Sequence, residues 1–347
     1  MKPKHLFVLA AAAVATVGAA VIVTTAENPP SQQAEIGQRL LPEIGARADD
    51  VHAIVMTHRD GQVRIVRDGD RWLVPDRRDY PAAPEKVRRL LIDLGELRAF
   101  EAKSKSPSLY PSMEVEDVET ANAKSIRVAL LDSSGATIVG VIVGKERLAR
   151  GGGTGDGVFI RRVGDAQAWL AQGRVAIERD ATAWLDRKLV DVARKRVREV
   201  RFQNGKDTLV VARAKADDKD FAIADVPAGR KPKSSVEVNA VSGAFEGLEL
   251  DDVHPEAGIS FPSNGPVTQI VTFDGLRVLA AFAEHEGATW VKFRASVEST
   301  EPPPADAIRD EATAINARVE NWVYKLPSWK VETLRRKMDD LLEAKSS

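Results

Sequence analysis

Residues 51–100, VHAIVMTHRDGQVRIVRDGDRWLVPDRRDYPAAPEKVRRLLIDLGELRAF, decide the fold. Their first half sets β-branched runs around Asp60-Gly61 and Asp68-Gly69. A type I′ hairpin turn needs φ > 0 at both central residues, and Asp-Gly supplies it at low steric cost. The spacing therefore predicts strand, turn, strand, turn and a third short strand at Trp72-Leu73-Val74. Tyr80-Pro81-Ala82-Ala83-Pro84 then opens a helix, with Pro84 at the first helical position, where its missing N–H costs nothing. Val87, Leu90, Leu91, Leu94 and Leu97 recur at helical spacing, which predicts one face laid on a sheet.

The same pattern returns later in the chain. Val238, Val241, Phe245 and Leu248 each lie 151 residues beyond Val87, Leu90, Leu94 and Leu97. Asn204-Gly205 is expected to stand where Asp60-Gly61 stands, and Asp274-Gly275 where Ser133-Ser134-Gly135 does. Asp132 maps onto Asp274 with an offset of 142, so the intervening loop is expected to be nine residues shorter. Trp184-Leu185 maps onto Trp322-Val323, and Ser234-x-x-Glu237 reads as a capping box. Between the copies, strands are expected at 126–131, 138–143 and 158–163, then helices carrying Trp169-Leu170 and Trp184-Leu185 with Leu189-Val190. Glu301-Pro302-Pro303-Pro304 is expected to end the second sheet, with helix from there to Asn321. A last helix over 328–342 carries the stripe Val331, Leu334, Met338 and Leu341, expected to dock on its own domain.

The expected fold class is α+β, an N-terminal transmembrane helix followed by two duplicated sheet-plus-helix domains. Its parts are a membrane anchor or signal segment at 1–26, a linker at 27–48, a first repeat at 49–195, and a second repeat with C-terminal helix at 196–347.

Composition narrows the function classes. Hydrophobic content of 44% with 29% charged residues is globular. A net charge of −1 gives no general pull toward nucleic acid, so no nucleic-acid partner is expected. The absence of cysteine excludes disulfides, thiolate nucleophiles and Cys-based zinc sites. Residues 6–23 are uncharged behind Lys2 and Lys4, and as a helix they would rise roughly 27 Å. That is near the thickness of a hydrocarbon core, so the expectation is a single-pass inner-membrane protein held in the cytoplasmic membrane by this helix, with its bulk in the periplasm. A cleaved signal ending near Thr24-Thr25-Ala26 is the alternative.

The chemical motifs read mostly as structure. Gly151-Gly152-Gly153-Thr154-Gly155-Asp156-Gly157 precedes a strand and lacks the following Lys-Ser/Thr of a phosphate loop, so it reads as a hairpin loop. His52 and His58 could share a strand face but have no third ligand at diagnostic spacing. Asp217-Asp218 and Asp251-Asp252 read as turn or cap residues, and most tryptophans as core anchors. Arg187-Lys188, Arg194-Lys195-Arg196, Arg198 and Arg201 form one basic cluster, read as a solvated connector. No catalytic, cofactor-binding or metal residues are assigned, and no cofactor is expected.

The assembled residues resemble a bacterial family known as domain of unknown function 4340. The resemblance rests on Leu41-Pro42, Asp50-Val51, Gly69-Asp70-Arg71-Trp72, Tyr80-Pro81-Ala82 and Val158-Phe159-Ile160-Arg161-Arg162. It continues through Gln167-Ala168-Trp169-Leu170, Trp184-Leu185-Asp186-Arg187 and Asp252-Val253. The chain departs from the pattern at Ala83, where the family usually has an acidic helix cap. The resemblance implies a membrane-anchored envelope protein associated with ABC-type transporter subunits of the gliding-motility kind, and it supplies no catalytic residues. The expected function is thus a non-enzymatic accessory or scaffold protein. The alternatives are a glycan- or lipid-binding module using a cleft between the copies, and an uncharacterised enzyme.

Overall fold

The computed structural model describes residues 35–147, 156–299 and 303–344. The chain divides into two units between Leu185 and Asp186.

In chain order the first unit runs α1 (Pro42–Arg47), β1 (Ala53–His58), β2 (Gly61–Asp68), β3 (Arg71–Val74), β4 (Tyr80–Pro81), α2 (Pro84–Glu96) and β5 (Arg98–Ala102). It continues with α3 (Tyr110–Met113), β6 (Ile126–Leu131), β7 (Thr137–Arg147), β8 (Gly157–Arg162) and β9 (Ala168–Gln172). One antiparallel sheet forms in the order β4-β3-β2-β1-β6-β7-β8-β9-β5. Alternation along these strands puts matched apolar residues on one face. Ile54 pairs with Ile65 and Leu130, and Met56 with Val63 and Val128, all buried. Val87, Leu90 and Leu94 form the buried stripe of α2. The other face is covered by residues 103–125, where Tyr110, Met113 and Val115 pack with Ile142, Ala168 and Phe159. Gly144 on β7 permits this closeness: a Cβ there would lie 2.3 Å from the Met113 carbonyl oxygen.

The second unit runs β10 (Lys188–Val190), β11 (Val197–Asn204), β12 (Asp207–Ala212), β13 (Ala222–Ile223), α4 (Ser235–Ala240), β14 (Leu248–Glu249) and β15 (Asp252–Pro255). Then come β16 (Val267–Thr272), β17 (Leu276–His285), β18 (Ala288–Val297), α5 (Asp306–Val319), β19 (Trp322–Lys325) and α6 (Ser328–Leu334). Its antiparallel sheet has the order β13-β12-β11-β16-β17-β18-β19-β15, and β10 pairs with β14 separately. Val211, Val200, Ile270, Val278 and Ala295 stand opposite one another across five strands and are all buried.

Several expectations need correction. The expected join at 195–196 moves to Leu185–Asp186, because β10 pairs with β14 and so belongs to the second unit. In the first hairpin His58 faces Gly61, so the turn residues are Arg59 and Asp60, neither at positive φ. Its counterpart turns at Gly205-Lys206, one residue later than expected. Trp169-Leu170 lies in β9 and Leu189-Val190 in β10, not in helices; Ala168 to Leu170 are buried on both faces, and such an apolar run has no diagnostic period. The helix over 84–97 forms as α2, whereas its expected copy is the short α4 plus a 3₁₀ turn, with Leu248 already in β14. The second sheet does not end at 301–304, because β19 joins it after α5. The last helix stops at Leu334, whose carbonyl accepts the Thr268 hydroxyl, and a separate 3₁₀ turn comes at Met338–Leu341. The tail does dock on its own unit, with Leu334 and Leu341 buried.

The single-pass inner-membrane localisation is also corrected. Among the described residues no helix is long and apolar enough to cross a membrane. Residues 6–23, on which that expectation rests, lie outside the described ones.

Candidate functional site

Two neighbouring clefts lie within the second unit, and their wall begins at the β17–β18 hairpin. Glu286 and Gly287 both have positive φ, the backbone a two-residue type I′ turn demands, and the strands then pair in register over ten residues each. Along β18, Val291, Phe293 and Ala295 are buried, while Trp290, Lys292 and Arg294 alternate onto the other face. β19 meets β18 only at Trp290–Lys325 and Val291–Tyr324. Farther along, α5 replaces it: the Asn316 carboxamide accepts from the Ala295 N–H at 2.8 Å and donates to the Ala295 carbonyl at 2.9 Å. Asn321, in the left-handed region at φ 69°, turns the chain from α5 into β19.

This parting of β18 from β19 leaves a cleft of ≈ 590 Å³ whose wall includes Lys292, Arg294, Asn316, Glu320 and Asn321. Lys292 Nζ lies 3.0 Å from Glu256 Oε1 and 4.6 Å from the Phe261 ring centroid. A shallower hollow lies on the Phe261 side and shares Glu256, Lys292 and Asn321 with the cleft. Phe261 and Trp290 pack on buried Ile259, Ala283 and Val323 beneath it. Among the described residues, neither the Arg294 guanidinium nor the Glu320 carboxylate has a hydrogen-bond or ionic partner. The arrangement offers ammonium, guanidinium, amide and carboxylate groups to a polar ligand.

The candidates read from the sequence fare differently. Residues 148–155, which hold most of the glycine-rich stretch, lie outside the described ones; the strands on either side pair antiparallel, with Arg147 opposite Gly157. His52 and His58 make local contacts, to the Asp50 carbonyl and the Asp60 N–H. Among the described residues no group of three or more metal-ligating side chains assembles. Asp251 pairs with Arg187 at 3.1 Å, Asp252 accepts from the Val253 N–H, and Asp218 accepts from the Lys215 N–H. The basic cluster is largely neutralised: Arg187 meets Asp251, Arg196 meets Asp274 and Glu311, Arg198 meets Glu298, and Arg201 meets Glu199. Trp329 departs from the core reading, at 60% exposed. Sequence spacing gives no sign of the Lys292–Glu256–Phe261 group, because the connection after β15 and the strand β18 supply it from distant parts of the chain.

The perturbed titratable groups are structural in character. Hydrogen bonding to Arg162 holds the Glu43 carboxyl below its usual range. Burial pushes the Asp274 carboxyl up, but the Arg196 guanidinium and Thr272 hydroxyl outweigh it and leave it lowered. Burial lowers Lys330, whose ammonium donates to the Glu246 carbonyl at 2.6 Å. Asp180 lines a shallow hollow of the first unit and is lowered by the Thr182 N–H and hydroxyl it caps.

Two large antiparallel sheets, the small β10–β14 pair and a few helices make this an α+β protein. The chain belongs to the family described as Domain of unknown function (DUF4340), whose family model matches residues 72–261, more than half of its length. No curated protein matches the chain.

Proposed function

We propose that the chain is a non-catalytic accessory or scaffold protein, built from two copies of one sheet-plus-helix design, that holds subunits of an ABC-type transport system. The observation that carries this reading is where the cations of the family motifs go. Arg161 holds the Val115 and Asp165 carbonyls and Asp117; Arg162 holds Glu43 and the Leu40 carbonyl; Arg187 holds the Leu250 carbonyl and Asp251. Each ties remote segments of its unit together, so the family pattern preserves a shape. The transport association comes from the family resemblance.

Duplication is supported by the order of the strands. With β4 set aside, β3-β2-β1-β6-β7-β8-β9-β5 matches β13-β12-β11-β16-β17-β18-β19-β15 one for one. Each unit also closes alike: the Ala83 N–H donates to the Trp184 carbonyl, and the Lys233 N–H to the Leu341 carbonyl, both at 2.8 Å. On this correspondence Trp184 answers to Leu341, while Trp322, in β19, falls opposite the strand that carries Trp169.

Affinity purification of the tagged full chain from its own cells, after cross-linking, should recover ABC-type ATPase or permease subunits. Recovery of neither, with the bait folded, would sink the transport part of the proposal. A second reading, a glycan-binding module, is favoured by the polar lining of the Lys292 cleft, which suits hydroxyl groups better than lipid chains. Thermal stabilisation by chitotriose would support it, since a ligand that binds only the folded state raises stability by mass action.

A further inference from the structure

We propose that the cleft around Lys292 receives an extended, acid-bearing peptide segment of a partner protein. The segment would take the place that residues 107–118 of this chain fill over Arg161 in the first unit. The inference rests on reading the units as two versions of one design, and it gives the scaffold a specific docking surface.

The correspondence comes from register. In the first unit Ile160 stands opposite Trp169, and Trp169 opposite Ala102. In the second, Val291 stands opposite Tyr324, and Tyr324 opposite Val253. Ala102 and Val253 differ by 151 residues, the same displacement as the helical anchors Val87 and Val238. One residue beyond Ile160 and Val291 come Arg161 and Lys292, which therefore occupy matching places on the outer face.

Their surroundings differ in what the same chain supplies. Arg161 is 5% exposed. It donates to the Val115 carbonyl at 3.0 Å, the Asp165 carbonyl at 3.0 Å and Asp117 Oδ1 at 2.6 Å, and it stacks 4.6 Å from the Tyr110 ring centroid. Three of those four partners belong to residues 103–125, between β5 and β6. The matching connection, residues 256–266 between β15 and β16, is twelve residues shorter, where the sequence offsets predict nine. It supplies Lys292 with a carboxylate, Glu256, and an aromatic face, Phe261, but no carbonyl. An ammonium has three N–H donors, so two remain beyond the bond to Glu256. Arg294, two residues on and on the same face, has no partner among the described residues.

The open volume of ≈ 590 Å³ borders both Lys292 and Arg294. An occupant must bring oxygen acceptors for Lys292 and Arg294 and a donor for Glu320. A peptide backbone brings both, and an acidic side chain completes the Arg294 site through a charge-assisted bond. Ala283 stands at the register position of Gly144 and packs with Ile259 and Phe261, so that end of the face is already covered. The occupant engages the Lys292–Arg294 end.

The test uses the purified full chain and a synthetic peptide of the sequence of residues 107–119, PSLYPSMEVEDVE, labelled for fluorescence anisotropy. Saturable binding is expected, with a scrambled peptide at least about ten-fold weaker. Arg294→Ala and Lys292→Gln should each weaken binding by about ten-fold, as loss of a charge-assisted hydrogen bond does. Because Arg294 is exposed and has no partner among the described residues, its variant should melt like the parent, which separates lost binding from lost folding. The proposal is overturned if the peptide does not bind, if the scrambled peptide binds equally, or if Arg294→Ala leaves binding unchanged. Displacement of the peptide by chitotriose would overturn it in favour of a glycan site. The assay needs no transporter component, so it can fail while the purification succeeds, or the reverse.

Discussion

Arg161 in the first unit and Lys292 in the second each sit over an aromatic ring, with centroid distances of 4.6 Å in both cases, beside a carboxylate. The first is sealed by its own chain and the second faces a cleft. The difference comes from loop length and helix insertion rather than from the sheet. A long connection carries Tyr110, Met113 and Val115 across the first sheet, and a tight turn of residues 163–167 joins β8 to β9. In the second unit the connection is short, and α5 enters between β18 and β19 and parts them. The two sheets thus share a strand order while the cover over one face differs, and loops tolerate length changes far better than ladders do.

The largest expected effect tests whether the sealed face depends on close backbone approach. Gly144→Ala would put a Cβ 2.3 Å from the Met113 carbonyl oxygen and 2.8 Å from that of Glu114, atoms that move only with the backbone. A cost of about 3 kcal/mol in urea unfolding is expected, at the upper end of ordinary overpacking. The reciprocal Ala283→Gly should cost about 1 kcal/mol, from lost burial and added unfolded-state freedom. Equal costs would break the comparison at this position.

Next comes the cation itself. Arg161→Ala leaves the Val115 and Asp165 carbonyls without their donor and removes the stack on Tyr110, at a cost of about 2–3 kcal/mol. Lys292→Ala removes a pair whose side chains are 36% and 43% exposed, so solvent screening limits its cost to under about 1 kcal/mol. Chemical denaturation of the two variants side by side checks the ordering, and a larger loss for Lys292→Ala would refute it.

A smaller pair of substitutions compares the helices. Ser234 caps α4, accepting from the Glu237 N–H and bonding the Glu237 carboxylate, whereas Ala83 gives α2 no side-chain cap. Ser234→Ala should cost about 1 kcal/mol and Ala83→Ser should gain somewhat less, read as opposite shifts in melting temperature. No shift for Ala83→Ser would mean that Pro84 and the Ala83–Trp184 backbone bond already fix that start.

These contrasts also show what the sequence could carry. Strands β1 to β3 and α2 are legible because 3.6- and 2-residue periods are local and the turns there contain Gly or Asp. The N-cap at Ser234 is legible for the same reason. The hairpin at Asp60-Gly61 is misplaced by one residue, since a dipeptide signal does not fix which two residues leave the ladder. On the proposed correspondence Trp184 does not fall with Trp322, because residue identity stands in for register there and α5 precedes β19. The Lys292 site is invisible: Glu256, Phe261 and Lys292 meet only through strand pairing, and no single-chain spacing encodes that. The cations Arg161 and Arg162 can be seen as part of a family motif, but not their roles, which depend on partners 44 and 119 residues away.

Acid provides the smallest contrast. The Arg162 guanidinium holds Glu43 below its ordinary pKa, and Asp274 is held low by Arg196 and Thr272 against the upward push of burial. A carboxylate depressed in the folded state contributes stability that is complete above the ordinary value, about 4, and is lost as pH falls through that range toward the folded value. Both side chains are more than a third exposed, which reduces each contribution to about 0.5 kcal/mol. The units should still differ. When Asp274 takes a proton, Arg196 keeps a two-pronged bond to Glu311 at 2.8 and 2.7 Å; when Glu43 does, Arg162 keeps only the Leu40 carbonyl among these partners. Glu43→Gln should therefore flatten the fall in urea midpoint between about pH 5 and pH 3 more than Asp274→Asn does. A steeper fall in either variant than in the parent would show that the carboxylate was not stabilising its unit, and an equal flattening would remove Glu311 as the reason the second unit resists acid better.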